Sequence, residues 1–343
     1  MQPAEQWLLA LADPEPKKLV FPRRKLDADG IMMLCLLADL HGVLPAVWSK
    51  LEKLFAGNGS ELLAPNQNVE QILTEFAPVQ KRLAERAAMA MFLGAETKRL
   101  LGKFSNAGAS GIALKGIDFA TRLYAQPSLR LFVDIDLLIS AKDWETILAV
   151  MTQQGYAPHE TELKYTTGYA ERTWEHPAMP GAMVEVHDNL VNSPTIRRGV
   201  STRLEDLPLE KLPDGTLRPT PAGLLIIATV HAAASHSFDK LQHLCDITQI
   251  ARNKAGAIDE SELKNAIAKT GAGFCVAAGL DLAARTFNDS SCAELLQRLD
   301  LHWPRWLARR LVTPLVVVRS QGRRRAGLSW RRQWLRQMLK RRR

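Results

Sequence analysis

Several things are missing from this 343-residue chain, and each absence excludes something. No apolar stretch approaches the 18 or so residues that a membrane-spanning helix needs. The longest candidate, "AGLLIIATVHAAA" (222–234), is too short and carries His231. The first residues, "MQPAEQWLLALADPEP", lack a basic opening and a long apolar run, so they do not read as a secretory leader. The expected location is the cytoplasm, with a peripheral position at a membrane as a variant. Only four cysteines occur, Cys35, Cys245, Cys275 and Cys292, and none forms a C-x-x-C pair. That spacing argues against a disulfide framework and against a zinc ribbon, and for buried thiols in a reducing compartment. Acidic residues are absent from the last 43 positions, which hold fourteen Lys and Arg. The net charge of +9 is therefore an average over a body of −5 and a tail of +14.

What is present is an ordinary globular composition, 46% hydrophobic and 24% charged, with ample material for a core. Residues 28–55 show helical periodicity interrupted at His41-Gly42 and Pro45, which predicts two short helices. A Gly/Asn/Pro loop at 56–68 follows, then one long helix or two over 69–103, with Pro78 as a start or a kink. Between about 111 and 190 the pattern alternates. A short strand ends in "GIALKG" (111–116), a helix follows, and a strand is expected over 131–139. An amphipathic helix ends at Gly155, and "MVEVH" (183–187) alternates as a half-buried strand. A Pro/Gly loop at 212–223 leads into an all-helical segment to residue 300, within which "DESE" (259–262) has the form of a capping box. The expected architecture is α+β: a small mixed sheet flanked by helices, with a C-terminal helical bundle. The expected divisions are 1–103 helical, 104–221 α/β core, 222–300 helical and 301–343 basic tail.

The chemistry concentrates in "RLFVDIDLLI" (130–139). Side chains two apart on a strand share a face, so Asp134 and Asp136 project together. Two carboxylates about 4 Å apart repel by roughly 4 kcal/mol at an effective dielectric near 20. A shared proton, an arginine or a divalent cation must offset that. Glu185 and His187 share a face in the second strand; were the strands neighbours, Asp134, Asp136 and Glu185 would converge as oxygen ligands suited to Mg²⁺. Glu185 is alternatively a general base. Lys115 and Gly116 end a strand before a helix, where a phosphate can approach the backbone. Each piece has a plain alternative: an inert solvated D-x-D face, a simple turn at Lys115-Gly116, a hydrogen-bonded structural His187.

Taken in order, the pieces "LKGIDFATRLYAQPSLRLFVDIDLLI", "QQGY", "VEVHDNL", "LLIIATVHAAASHSFDKLQHLCDITQIAR" and "IDESELKNAIAKTGAGFCVAAGLDLAARTF", with the earlier "LADLHGVLPAVWSKL", resemble the polymerase-β-type nucleotidyltransferase superfamily. The nearest likeness is to its uncharacterised bacterial branch, over roughly residues 30–290. The resemblance implies metal-dependent transfer of a nucleoside monophosphate from an NTP, with ATP the first choice, to a small-molecule, peptide or glycan-related acceptor. It implies that Asp134, Asp136 and Glu185 bind one or two Mg²⁺ ions and carry catalysis. Lys115, Gly116, Arg130 and His187 would contact the nucleotide, and the helices of 222–300 would shape the acceptor pocket. The wider superfamily has a serine after the glycine; here Ile117 stands there.

His231 and His236 are five apart, off the i,i+4 spacing that puts two ligands on one α-helical face; structural hydrogen bonding is the expectation for the histidines of this segment, with contacts to acceptor or nucleotide as the alternative. His243 and Asp246 are positioned to pair on a helix face. In "GLSWRRQWLRQMLKRRR" (327–343), Trp330, Trp334, Leu335, Met338 and Leu339 are expected to share one face of a basic amphipathic helix. Such a helix packs on the acidic body, or meets an anionic membrane, nucleic acid or an acidic partner. A binding protein with a degenerate site that docks through residues 319–343 is the competing reading.

Overall fold

The sheet is built from five short strands in the order β1-β2-β5-β4-β3: β1 Gly111–Ala113, β2 Asp134–Ile139, β3 Ala157–Pro158, β4 Glu171–Glu175 and β5 Met183–His187. The computed structural model describes the chain except for residues 58, 60, 66, 160–167, 180, 321–329 and 341–343. β2 and β5 run parallel, so a crossover must join them; helix Trp144–Gln153 and the antiparallel β3–β4 pair lie between them in the chain. The β2–β5 register sets Asp136 opposite Glu185 and Leu138 opposite His187.

Strand alternation then divides the sheet into two unlike faces. Ile135, Leu137, Ile139, Val184, Val186 and Trp174 enter a buried core. Leu93, Leu100 and Phe104 of helix Ala77–Asn106 and Ile147 and Met151 of helix Trp144–Gln153 complete it. The other face carries Asp134, Asp136, Glu185, His187 and Glu171. Pro78 falls in the first turn of helix Ala77–Asn106, where its missing N–H costs nothing, so it is a start rather than a kink. The shorter helix Val69–Glu75 precedes it.

A second, larger core unites the two ends of the chain. Trp7, Leu8, Leu34 and Leu44 from the N-terminal helices pack with Leu225, Leu244 and Leu280 from the C-terminal helices. Arg252 ties these ends with Nη2 2.6 Å from Asp13 and Nε 2.9 Å from Asp289. All four cysteines are buried and free.

Three expectations need correction. The strand expected over 131–139 begins only at Asp134, and Val133 before it is 67% exposed. The preceding residues belong to a 3-10 turn, Pro127–Leu129, and to the anchoring of Arg130 described below. The loop expected at 212–223 contains half of a hairpin, with β6 Leu209–Lys211 paired to β7 Leu217–Pro219.

The single apolar face expected for the tail helix is the third. Helices Arg305–Leu311, Pro314–Ser320 and Trp330–Leu339 fold onto the body, and Leu311, Val317, Leu335 and Leu339 join the larger core. At 3.6 residues per turn the five expected apolar residues span half the helix. Leu335 and Leu339 therefore point inward while Trp330 and Trp334 stay 60% and 55% exposed. Residues 321–329 and 341–343 of that segment lie outside the described residues. No described helix is long and apolar enough to cross a membrane.

Candidate active site

Lys115 reaches the acidic face because of how β1 ends. Leu114 N donates to Asp136 O at 3.0 Å, so the chain leaves the sheet beside Asp136. Gly116, at φ +52, then turns it into helix Gly116–Leu123. That left-handed conformation favours glycine, and an added Cβ would only touch the Phe132 ring, at 3.4 Å, so the backbone and not the space sets the preference. Within this turn Lys115 Nζ lies 2.7 Å from Asp136 Oδ2 and 3.3 Å from His231 Nε2.

His187 approaches Asp136 from the other side, with Nε2 3.5 Å from Asp136 Oδ1 and 3.8 Å from Glu185 Oε2. These separations are too long for good hydrogen bonds, and Nε2 is buried without a partner. Nδ1 is 3.3 Å from Asn192 Oδ1 and 3.9 Å from Glu171 Oε2; Asn192 Nδ2 in turn donates to Glu171.

Burial alone would raise the Asp136 carboxyl; the Lys115 ammonium and then His187 outweigh it and hold the group well below the usual range. Asp134 moves the other way, pushed up first by the charge of Asp136 and then by burial. Burial pulls His187 down, but Asp136, Glu171 and Glu185 together push it above its ordinary value. Lys115 is likewise raised, because Asp136 and Asp134 overcome its desolvation. The face therefore gathers the carboxylates of Asp134, Asp136, Glu185 and Glu171 around the Lys115 ammonium and the His187 imidazole.

The convergence differs in part from the expected set. Asp136, Glu185 and His187 each offer one ligand atom, all within 4.8 Å of one another. Asp134, one pleat earlier on the same face, is not in that group. Arg130 does not reach across the carboxylates. Its Nε and Nη2 donate to Asp246 at 2.8 and 2.9 Å, Nη1 donates to Gly116 O at 3.4 Å, and its guanidinium stacks 5.1 Å above Phe119. Tyr124 adds a 2.7 Å bond to Asp246. Asp246 thus serves Arg130 and Tyr124, where a pairing with His243 was expected. Ile117 lies over the bare backbone at Gly94, where a Cβ would meet it at 2.8 Å.

Sequence reasoning missed Glu171, Asn192, Tyr124 and the contact of His231 with Lys115. β4, "ERTWE", alternates with period two and was available as a signal for Glu171. No local pattern announces the others.

A small mixed sheet flanked by helices, with carboxylates gathered on one face and a lysine-glycine turn at their edge, defines an α+β protein. The family described as uncharacterised nucleotidyltransferases matches residues 31–288, and the chain belongs to that family. No curated protein and no solved structure matches the chain.

Proposed function

We propose that the chain is a nucleotidyltransferase of the polymerase-β-like type that transfers a nucleoside monophosphate from an NTP, ATP first, to an acceptor hydroxyl. Membership of the family supports transfer of a nucleotidyl group in general. The observation that carries the finer reading is Lys115 2.7 Å from Asp136, which itself stands in register with Glu185.

Asp136 and Glu185, with Asp134 beside them, have the donor chemistry for one or two Mg²⁺ ions. Hard carboxylate oxygens suit that ion, and a cation relieves the repulsion that pushes Asp134 up and gives the carboxylates a partner besides Lys115. When bound, such an ion neutralises triphosphate charge and orients the donor. Lys115 places its ammonium on a phosphate oxygen, and the Gly116 turn lets the backbone approach. His187 flanks Asp136 on the side away from Lys115, with Nε2 3.5 Å from its Oδ1. Glu185 takes the proton of the acceptor hydroxyl; that oxygen bonds to the α-phosphorus while the bond to pyrophosphate breaks, and pyrophosphate leaves. Arg130 acts through the turn, with Nη1 on Gly116 O, as a positioning residue. The helices of 222–300 form the acceptor side, and a small molecule, a peptide side chain or a glycan is the acceptor class.

The test is pyrophosphate release with each NTP and Mg²⁺ in the presence of cell extract, alongside a metal-dependent thermal shift. Asp136→Asn should abolish both. If no NTP gives a shift that this variant loses, the reading fails.

A second reading is favoured by Trp330 and Trp334, one turn apart and more than half exposed on a helix that also carries Arg331 and Arg336. It has the tail seat this cytoplasmic protein on an anionic membrane surface, or on nucleic acid. Flotation with anionic vesicles, lost in Trp330→Ala/Trp334→Ala, would support the membrane; retention on RNA alone would support nucleic acid.

A further inference from the structure

Helix Pro221–Val230 does not continue through His231 in α geometry. It passes into a π turn, His231–Ser235, whose hydrogen bonds run to the fifth residue instead of the fourth. Side chains five apart, off-face in an α-helix, then return to one side. This overturns the expectation drawn from their spacing: the His231 and His236 rings meet edge to face with centroids 4.6 Å apart. His243, in the first turn of helix Leu241–Ala251, closes the triangle at 5.1 Å from His231 and 4.6 Å from His236. The chain reaches it through Ser237 and Phe238, both in the left-handed region at φ 54 and 57. Non-glycine residues are held there only when surrounding structure insists, and such strain concentrates at functional sites.

One nitrogen from each imidazole lies within 4.8 Å of the others. His243 is 7% exposed, and its Nδ1 has no hydrogen-bond partner. His236 Nδ1 is 3.5 Å from Asp239 Oδ1, a charge contact longer than a good hydrogen bond, and Asp239 Oδ2 accepts from Arg332 Nη2 at 2.8 Å. Burial, then the charge of Lys115, pushes His231 well below its ordinary value, and burial, then His236, does the same to His243. Neutral imidazoles keep the lone pair that an ion needs.

We propose that His231, His236 and His243 form a binding site for one divalent transition-metal ion of the zinc class, separate from the carboxylates on the sheet. Three imidazole nitrogens suit a borderline-soft cation more than Mg²⁺. They leave a fourth position for water or an oxygen of a bound molecule. The two sites share Lys115, whose Nζ is 3.3 Å from His231 Nε2. A neutral imidazole has one lone pair, so an ion taken at that nitrogen replaces the lysine contact and leaves the ammonium to Asp136. The proposal stands independently of the nucleotidyl-transfer reading, since it concerns metal binding alone.

The experiment titrates chelator-treated full-length protein with Co²⁺ and reads its visible absorption. One equivalent per chain is expected, with the intense band of a four-coordinate, nitrogen-rich site, displaced by Zn²⁺. His236→Gln should remove the band and weaken affinity by at least ~10-fold, with near-ultraviolet dichroism reporting an intact fold. His231→Gln serves as the second variant. Asp134→Asn/Asp136→Asn should leave band and affinity in place, whatever it does to nucleotide binding. The site is overturned if wild type takes up no Co²⁺, if the band survives the histidine variants, or if it vanishes only in the aspartate variant.

Discussion

The ammonium of Lys115 stands 2.7 Å from Asp136 Oδ2 and 3.3 Å from His231 Nε2, so a single side chain ties the acidic face of the sheet to the helical half of the molecule. Removing one partner of a buried pair leaves an uncompensated charge. Lys115→Met should therefore cost about 3–5 kcal/mol in urea unfolding. Adding Asp136→Asn should recover a large part of that loss, a coupling expected of groups in contact. Strict additivity of the two changes would show that the pair does not stabilise the fold.

Asp134 predicts a trade of stability against function. Its carboxyl is pushed up chiefly by the charge of Asp136, so its ionised form is a burden on the metal-free protein at neutral pH, relieved as pH falls. Asp134→Asn should raise Tm without added metal and lose the Mg²⁺-dependent gain. In wild type that gain should reach about 2.7 kcal/mol at ~100 times Kd. Calorimetry with and without Mg²⁺ reads both; a lower metal-free Tm would contradict the argument.

Ile117 is a packing residue over Gly94, with the Cβ position there only 2.8 Å from its Cδ1. Ile117→Ser should thus lose about 1–3 kcal/mol of stability without tightening nucleotide binding. A clear gain in NTP affinity by isothermal titration would mean that the hydroxyl reaches a phosphate after all.

Lys50 gives the pH prediction. Its Nζ is buried on the carbonyls of Leu11 and Ala46, at 3.1 and 3.2 Å, and burial lowers its pKa from 10.5 to about 8. Above pH 8 the unfolded state binds the extra proton, so this residue adds stability as pH rises from about 8 towards 10.5 and withholds it below. The effect is on the order of a few kcal/mol. Stability measured against pH should rise more steeply across that window in wild type than in Lys50→Met. Parallel curves would show that Lys50 stays charged.

Much of the site was legible because strand alternation is a property of the local backbone. "DIDLLI" and "MVEVH" announce their faces wherever they sit, and the observed register honours both. Helix starts at Pro78 and Asp259 follow equally local rules; Asp259 accepts from the backbone of Ser261 and Glu262 as its position before the helix requires. Over long distance the outcome was mixed: β2 and β5 do pair, with Asp136 opposite Glu185. Arg130, placed on phosphates by motif, is held by Asp246, 116 residues away.

The sequence by itself determined that two strands each carry a polar pair on one side, that a lysine-glycine turn precedes them, and that positive charge gathers at the end of the chain. Tertiary structure alone decided which polar groups meet. It brought His187 rather than Asp134 into the tight group with Asp136 and Glu185, turned Trp330 and Trp334 outward, and gathered three histidines across a π turn. The reason is physical: side-chain direction along a regular strand or helix repeats with the backbone. The choice of partner across elements depends on packing contacts whose residues are far apart in the chain, and on a one-residue widening of a helix that no periodicity records.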